Sequence, residues 1–181
     1  MTFPAPVQKL WDELQTVRAD VLREVEGLTQ AQADWKPGPK DWSVGEIVHH
    51  LTIAEIATGK LTTKLTRDAE AAGTLAAGFP ADFHEIKPLP DVRASADAPE
   101  VVWPEHGKPI GDLLATMNAT RERSVQSLQK VASTDPRRLL FKHFRFGDLD
   151  LAQWWKLQAA HDGIHLAQIR DVKRAAGFPA R

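Results

Sequence analysis

The chain has 181 residues, 43% of them hydrophobic and 26% charged, with a formal net charge of -1, which suits a single domain spanning 1–181. The near-neutral charge and the lack of a Lys/Arg-rich block argue against a nucleic-acid partner, and the lack of cysteine excludes disulfides, cysteine-bound zinc and a thiol nucleophile of its own. The N-terminus has no signal-peptide pattern and no apolar run reaches ~18 residues, so we predict a cytoplasmic protein that does not contact membranes.

The first predicted helix carries apolar residues at a spacing of three and four. They are Val7, Leu10, Leu14, Val17, Val21, Val25 and Leu28, and this spacing places them on one helical face. Gly27 is a C-terminal stop signal. The following segment, 29–42, holds a proline-glycine cluster between two tryptophans and is predicted to be a packed connection.

The second predicted helix begins with a capping box, in which Ser43 accepts from the Glu46 amide and Glu46 reaches back. Its stripe is predicted to contain Val44, Ile47, Leu51, Ala54, Thr58, Leu61 and Leu65. In this register His50 lies at the inner flank of the stripe, whereas His49 lies on the outer face. The capping role accounts for Glu46 better than a role as general base does.

A long crossover is predicted between the second and third helices, at about 78–109. Its residues 81–109 are proline-rich and have little periodicity, which is typical of a loop that covers one end of a domain. The histidines of this segment, His84 and His106, are interpreted as solvated.

The third predicted helix spans roughly 110–131, and polar residues interrupt its apolar stripe at Thr120, Arg121 and Ser124. A solvated or locally paired face is the favoured interpretation; the alternative is a polar patch that lines the same cavity as the histidines described below. After it comes a short apolar run with Phe141, Phe144 and Phe146 on uneven faces, which is interpreted as extended.

The fourth predicted helix follows a turn at Gly147-Asp148, begins with Asp150 and Gln153 as its cap and continues to about Ala176. Its seam is predicted to be Leu151, Trp154, Gln158, His161, His165, Gln168, Val172 and Ala175. One tryptophan of the pair 154–155 must then turn away from the seam and is free for a dimer contact. Four amphipathic helices without convincing strands predict an all-α four-helix bundle, whose long crossover allows the second and third helices to run parallel.

Three histidines are the candidate functional residues. His161 and His165 lie four apart and stack on one helical face, and His50 can approach them from the second helix. Three neutral imidazoles with open positions suit zinc, nickel or iron(II), which would activate a bound water or thiol. The alternative interpretation is a set of hydrogen-bonded histidines without an ion.

The same residues resemble the DinB/YfiT-like metalloenzyme family. The similarity runs from Trp35-Lys36-Pro37 through Trp42-Ser43-Val44-Gly45-Glu46 to His50-Leu51, and from Phe146-Gly147-Asp148-Leu149 through Trp154 to His161 and His165-Leu166-Ala167-Gln168-Ile169. The resemblance implies an up-down-down-up bundle and a divalent metal bound by His50, His161 and His165. It also implies a homodimer, because dimers are common in the family.

The resemblance further implies chemistry with small thiols. Family members and relatives include S-transferases that use thiols such as bacillithiol, mycothiol-dependent isomerases, and the iron-binding domain of ergothioneine-type sulfoxide synthases. We therefore expect a metal-dependent thiol S-transferase or hydrolase that acts on a small electrophile, with a non-catalytic metal-binding stress-response or interaction module as the alternative.

Other polar residues have open roles. Gln158 and Gln168 can orient the imidazoles or bond elsewhere on the helix. Arg121 and Arg145 can bind a substrate carboxylate, with surface ion pairing as the favoured alternative. Gly163 stands between the two histidines where relatives carry bulkier residues, and it is interpreted as leaving room for a neighbouring element.

Overall fold

The computed structural model describes residues 2–89 and 99–180. Its helices are α1 (Ala5–Val25), α2 (Gln30–Asp34), α3 (Val44–Ala71), α4 (Ile110–Ala132) and α5 (Leu151–Arg174), and its strands are β1 (Leu140–His143) and β2 (Gly147–Asp150). Short 3-10 turns lie at Glu100–Val102 and Pro136–Arg138. Residues 90–98 of the predicted crossover lie outside the described residues.

The predicted helix boundaries have local causes. Ser43 and Glu46 form the predicted capping box of α3, and Asp150 and Gln153 form that of α5. Gly27, which follows α1, has a φ of 69°, a left-handed conformation that glycine adopts without strain. The capping side chains of α3 and α5 accept hydrogen bonds from amides at the helix start that have no partner within the helix.

The four long helices have the up-down-down-up arrangement of the prediction. In α3 and α4, residues later in one helix contact residues later in the other: Glu55 contacts Arg121, and Thr63 contacts Lys130. These two helices are therefore parallel. In α3 and α5 the order is reversed, because His50 meets His161 whereas the later Thr62 meets the earlier Trp155.

The pair α1 and α5 is also parallel. Arg18 contacts Asp162, and Glu24 contacts Lys173 further along both helices. The directions of the four long helices therefore confirm the all-α bundle and the parallel second and third long helices.

A polar layer divides the interior of the bundle. One apolar cluster contains Leu10, Leu14, Leu128, Leu151 and Trp155. The other contains Val21, Val25, Val44, Ile47, Leu51, Leu113 and Ile169. Charged residues are buried between the two clusters, among them Arg18, Glu55, Arg121 and Asp162.

The segment before α5 is extended over Leu140–His143, as interpreted from the sequence, but its turn differs from the prediction. The segment forms an antiparallel hairpin in which Leu140 pairs with Asp150 and His143 pairs with Gly147. The turn therefore lies before Gly147, and the predicted turn at Gly147-Asp148 is wrong. The uneven placement of its phenylalanines hid the strand pattern, because three of the four residues of β1 are exposed and show no alternation of buried and exposed positions.

The predicted seam of α5 is wrong in part. Its buried stripe contains Trp155, Asp162, Leu166 and Ile169, whereas the predicted Trp154, His161, His165 and Gln168 are half-buried. Trp155, and not Trp154, is fully buried, and its indole nitrogen donates to the Thr62 hydroxyl. Trp154 packs on the hairpin and donates to the Phe141 carbonyl. Among the described residues, none of the helices has the length and apolar character needed to cross a membrane.

Candidate metal centre

Three histidine side chains converge at one end of the polar layer. The Nε2 atom of His161 lies 3.0 Å from Nε2 of His50 and 3.1 Å from Nε2 of His165. The first histidine belongs to α3 and the other two belong to successive turns of α5. The antiparallel contact of these helices thus brings together the three residues that the sequence singles out.

Hydrogen bonds on the opposite ring nitrogens fix two of the tautomers. Nδ1 of His50 lies 2.7 Å from the Val102 carbonyl oxygen, and Nδ1 of His165 lies 2.7 Å from Oε1 of Gln168. Because both oxygens only accept, each Nδ1 carries the hydrogen and donates it. Each Nε2 therefore presents a lone pair to His161.

Burial keeps these imidazoles neutral. Loss of water lowers the pKa of His50 to about 4 from its ordinary 6.5, although the Val102 carbonyl opposes that effect. Burial also lowers the pKa of His165, and it lowers that of His161 well below the ordinary value, with help from the two neighbouring histidines. Neutral imidazole is the form that binds metal ions.

The donor set fits one divalent ion. His161 can carry at most one hydrogen on Nε2, so it can satisfy only one of the two lone pairs that face it. Nitrogens that each lie about 2.0–2.1 Å from a shared ion can have the separations of 3.0 and 3.1 Å seen here. The oxygens on Nδ1 of His50 and His165 are the usual outer partners of metal-binding histidines.

Trp42 packs beside the cluster. Its ring centroid lies 4.7 Å from that of His50 and 6.0 Å from that of His165. The indole thus restricts the rotation of two rings and shields them from water, which helps to fix the positions of their nitrogens.

The crossover is attached to the same part of α3. Besides the bond from His50 to Val102, the Glu105 amide donates to Nδ1 of His49 at 2.9 Å. His106 lies 3.5 Å from Glu46, whose carboxylate also accepts from Ser43 and Lys36. His84 is exposed as predicted, whereas His106, interpreted as solvated, makes this contact while staying half exposed.

A network of buried charged side chains lies next to the histidines. Nη2 of Arg18 lies 2.8 Å from Glu55 and 2.8 Å from Asp162, the residue after His161. Arg121 lies 2.7 Å from Glu55 and 3.2 Å from Asp162. This network links all four long helices at the level of the histidines.

The network corrects two interpretations of the sequence and distinguishes the open roles of the two glutamines. Thr120, Arg121 and Ser124 are buried, so a solvated face on α4 and surface ion pairing of Arg121 are both wrong. Gln158 donates to Asp162 at 3.0 Å, whereas Gln168 is the glutamine that bonds to a histidine of the cluster.

Gly163 does not admit a neighbouring element that a side chain would exclude. A Cβ there would lie 3.9 Å from Val17, an ordinary contact. Room for a close helix approach is therefore not the reason for a glycine at this position.

Charge compensation governs the ionisation of the network. Burial favours a neutral Glu55, but the charges and hydrogen bonds of Arg18 and Arg121 outweigh it and lower the pKa of Glu55. Burial dominates at Asp162 and raises its pKa against the same two arginines. Nη1 of Arg18 is buried and has no hydrogen-bond partner among the described residues.

Residues 13–169 match the model of the DinB superfamily. The chain belongs to the DinB superfamily. A relative in Bacillus subtilis (strain 168), "Uncharacterized protein YuaE", is 25% identical over 160 residues that make up 86% of this chain and 92% of that protein. The solved structure "Crystal structure of TT2238, a four-helix bundle protein" has a TM-score of 0.63 and 16% identity, covering 91% of this chain and 98% of that one, and supports the fold alone.

Sequence reasoning on this DinB-superfamily chain missed Arg18, Glu55 and Asp162 as buried residues. A signal was available, because Arg18 continues the buried positions Leu14 and Val21 at a spacing of four and three. Glu55 likewise lies four residues after the buried Leu51. Charged residues on an apolar stripe indicate a buried ion pair when the helices contribute opposite charges in equal number.

Proposed function

We propose that this DinB-superfamily protein binds one divalent transition ion through Nε2 of His50, His161 and His165. The observation that supports the proposal is the convergence of three Nε2 atoms while Nδ1 of two of the rings donates to an oxygen. Three neutral nitrogen donors suit zinc, nickel or iron(II) and leave coordination positions for another molecule.

We propose that the bound ion serves an enzyme that transfers a small thiol to an electrophile or hydrolyses that electrophile. A divalent ion supplies the chemistry by lowering the pKa of a bound thiol or water, which makes it a nucleophile at neutral pH. The protein has no cysteine, so a thiol must come from a cosubstrate. A small-thiol partner agrees with this composition.

The residues around the ion position it and keep its surroundings dry. The Val102 carbonyl and the Gln168 amide orient two of the imidazoles and raise their basicity. Trp42 covers two rings, and the buried ion pairs fix the spacing of α3 and α5, which carry all three ligands. The expected result is a preorganised site that binds metal without rearrangement.

The alternative is a non-catalytic metal-binding module for stress response or association. The attachment of the crossover to His49 and His50 favours it, since a covered ion has less room for a substrate. Turnover of model electrophiles with added small thiols distinguishes the two functions, because a saturated or closed site gives none.

The first test is metal content by mass spectrometry on protein without a polyhistidine tag. We expect about one ion per chain in the wild type and in His49→Ala, and loss of the ion in His165→Ala. His49 is the matched control because it is the neighbour of His50, and its Nδ1 accepts from the Glu105 amide while its ring lies outside the three-histidine cluster. A wild type that binds none of zinc, nickel and iron(II) would refute the proposal.

We also propose that the protein is cytoplasmic, that its residues 1–181 form one domain, and that two copies associate as a homodimer. Sedimentation at several concentrations tests the dimer, and fractionation of the source cells tests the location. A monomer at every concentration would contradict the dimer and leave the metal site unaffected.

A further inference from the structure

His49 is the neighbour of the proposed ligand His50, and the proposed function gives it no role. Adjacent residues of a helix point about 100° apart, so the two side chains leave α3 in different directions. Both nevertheless meet the crossover. Nδ1 of His50 lies 2.7 Å from the Val102 carbonyl oxygen, and Nδ1 of His49 lies 2.9 Å from the Glu105 amide, three residues further along.

The two contacts have opposite polarity. Nδ1 of His50 donates to a carbonyl oxygen, whereas Nδ1 of His49 carries no hydrogen and accepts from a backbone amide. The crossover is therefore held on α3 at one carbonyl and one amide, which restricts its sliding along the helix. His49 thus fastens the segment whose carbonyl orients His50.

We call residues 99–109, the described part of the crossover that leads to α4, the strap. None of its residues is fully buried, and Val101 and Trp103, which flank Val102, are 77% and 57% exposed. A segment that buries little apolar surface opens at a lower free-energy cost than a core helix does. The hydrogen bonds to the two histidines therefore have a large influence on whether the strap is docked.

The strap is anchored separately where it enters α4. Gln30 of α2 donates from Nε2 to the Lys108 carbonyl at 3.1 Å and accepts at Oε1 from the Ile110 amide at 2.9 Å. These bonds involve neither His49 nor α3. The strap can therefore leave the histidines while its end stays attached to the bundle.

Metal binding and docking of the strap act on the same imidazole. An ion on Nε2 of His50 draws electrons from the ring and makes its Nδ1–H a stronger donor to the Val102 oxygen. Conversely, the Val102 carbonyl raises the basicity of Nε2 and thereby the affinity for metal. The factor by which a docked strap raises metal affinity must equal the factor by which metal favours docking.

We propose that His49 is a positioning residue of the metal centre. By holding the Glu105 amide it keeps the Val102 carbonyl on His50, so that docking of the strap and binding of metal stabilise one another. The inference rests on the proposed metal site and holds for a catalytic and for a non-catalytic ion. Loss of an outer partner weakens metal binding about 10–100-fold, and His49 acts through such a partner, so we expect an effect of about tenfold.

Hydrogen exchange of the Glu105 amide, followed by NMR with and without equimolar zinc, measures the opening of the strap. We expect zinc to slow the exchange of this amide about tenfold in the wild type. The Gly78 amide is the internal control. It donates to the Ser133 carbonyl at 2.8 Å beyond the other end of α3, and its exchange rate should be the same in both forms.

Three variants distinguish positioning from a structural role. His49→Ala should bind zinc about tenfold more weakly in a chelator competition, although its content at saturation stays near one ion per chain because all three ligands remain. Its melting temperature without metal should stay near that of the wild type, since the strap buries little. His49→Asn presents an acceptor oxygen close to the position of Nδ1 and should restore the affinity. His84→Ala removes an exposed histidine outside the strap and should keep the wild-type affinity.

The outcomes separate this inference from the proposed function. Zinc that binds without slowing the exchange of the Glu105 amide refutes the inference alone, as does wild-type zinc affinity in His49→Ala. Failure of His49→Asn to restore the affinity, or an equal loss in His84→Ala, also refutes it. A wild type that binds none of zinc, nickel and iron(II) overturns the proposed function and the inference together.

Discussion

Glu55→Gln tests whether the charged layer stabilises the bundle through charge balance. The Glu55 side chain is fully buried and accepts from Arg18 at 2.8 Å, from Arg121 at 2.7 and 3.2 Å, and from Ser124 at 2.6 Å. Glutamine has the same shape but no charge, and its amide hydrogens would face the donors of the arginines. Two buried guanidinium groups would then share the single carboxylate of Asp162.

The expected loss is about 3–5 kcal/mol in the free energy of unfolding, the cost of leaving a buried charge without its partner. For a chain of this size about 2–4 °C accompanies each kcal/mol, so the melting temperature should fall by roughly 6–20 °C. Urea denaturation followed by circular dichroism measures the free energy, and calorimetry measures the melting temperature.

Adding Arg121→Met to Glu55→Gln tests whether the loss of charge balance causes the destabilisation. The double variant with Glu55→Gln keeps Arg18 with Asp162 and restores electroneutrality, so its loss should be smaller than the sum of the single losses by about 0.5–3 kcal/mol. Asp68→Asn, which removes an exposed partner of Lys64, should leave the denaturation midpoint unchanged. A loss below about 1 kcal/mol in Glu55→Gln, or strict additivity in the double variant, would refute the reasoning.

Three further predictions concern the histidine cluster. In the metal-free protein, the free energy of unfolding should fall as the pH drops from 6.5 toward 4, by about 3 kcal/mol from His50 alone. The reason is that His50 binds a proton in the unfolded chain at a pH where burial keeps it neutral in the folded chain. Urea denaturation across this range measures the change, and a free energy of unfolding that does not vary with pH would contradict the prediction. Gln168→Ala should weaken metal binding by about 10–100-fold in a chelator competition, since it removes the acceptor that orients His165; unchanged affinity would show that the amide has no such role. Gly163→Ala should raise the free energy of unfolding by up to about 1 kcal/mol and keep the metal content, because the added methyl meets only Val17 at 3.9 Å; a destabilised variant would show that the helix pair cannot accept the methyl group.

Local sequence signals predicted most of the fold. Two capping boxes, at Ser43 and Asp150, and the glycine after α1 each act on backbone groups only a few residues away. The geometry of each helix end therefore follows from sequence spacing alone. Helical periodicity also selected His161 and His165 and placed His50 at the inner flank of its helix, and the resemblance to a family then implied that the three bind one metal ion.

The same periodicity failed where two side chains compete for one position. Adjacent tryptophans at 154 and 155 both fit a stripe, and the contact of Trp155 with Thr62 on another helix decided between them. The hairpin was missed for a related reason: its hydrogen bonds join two strands, and β1, with three of its four residues exposed, shows no alternation in the sequence.

By itself the sequence determined the four long helices, their ends and the faces on which the histidines lie, because each depends on contacts within one helix. Only the tertiary structure decided what surrounds those faces. It paired Arg18 and Arg121 with Glu55 and Asp162, and it brought the Val102 carbonyl to His50 from a crossover fifty-two residues away. Such contacts join residues with no fixed sequence spacing, so helix packing and chain reversal alone select them.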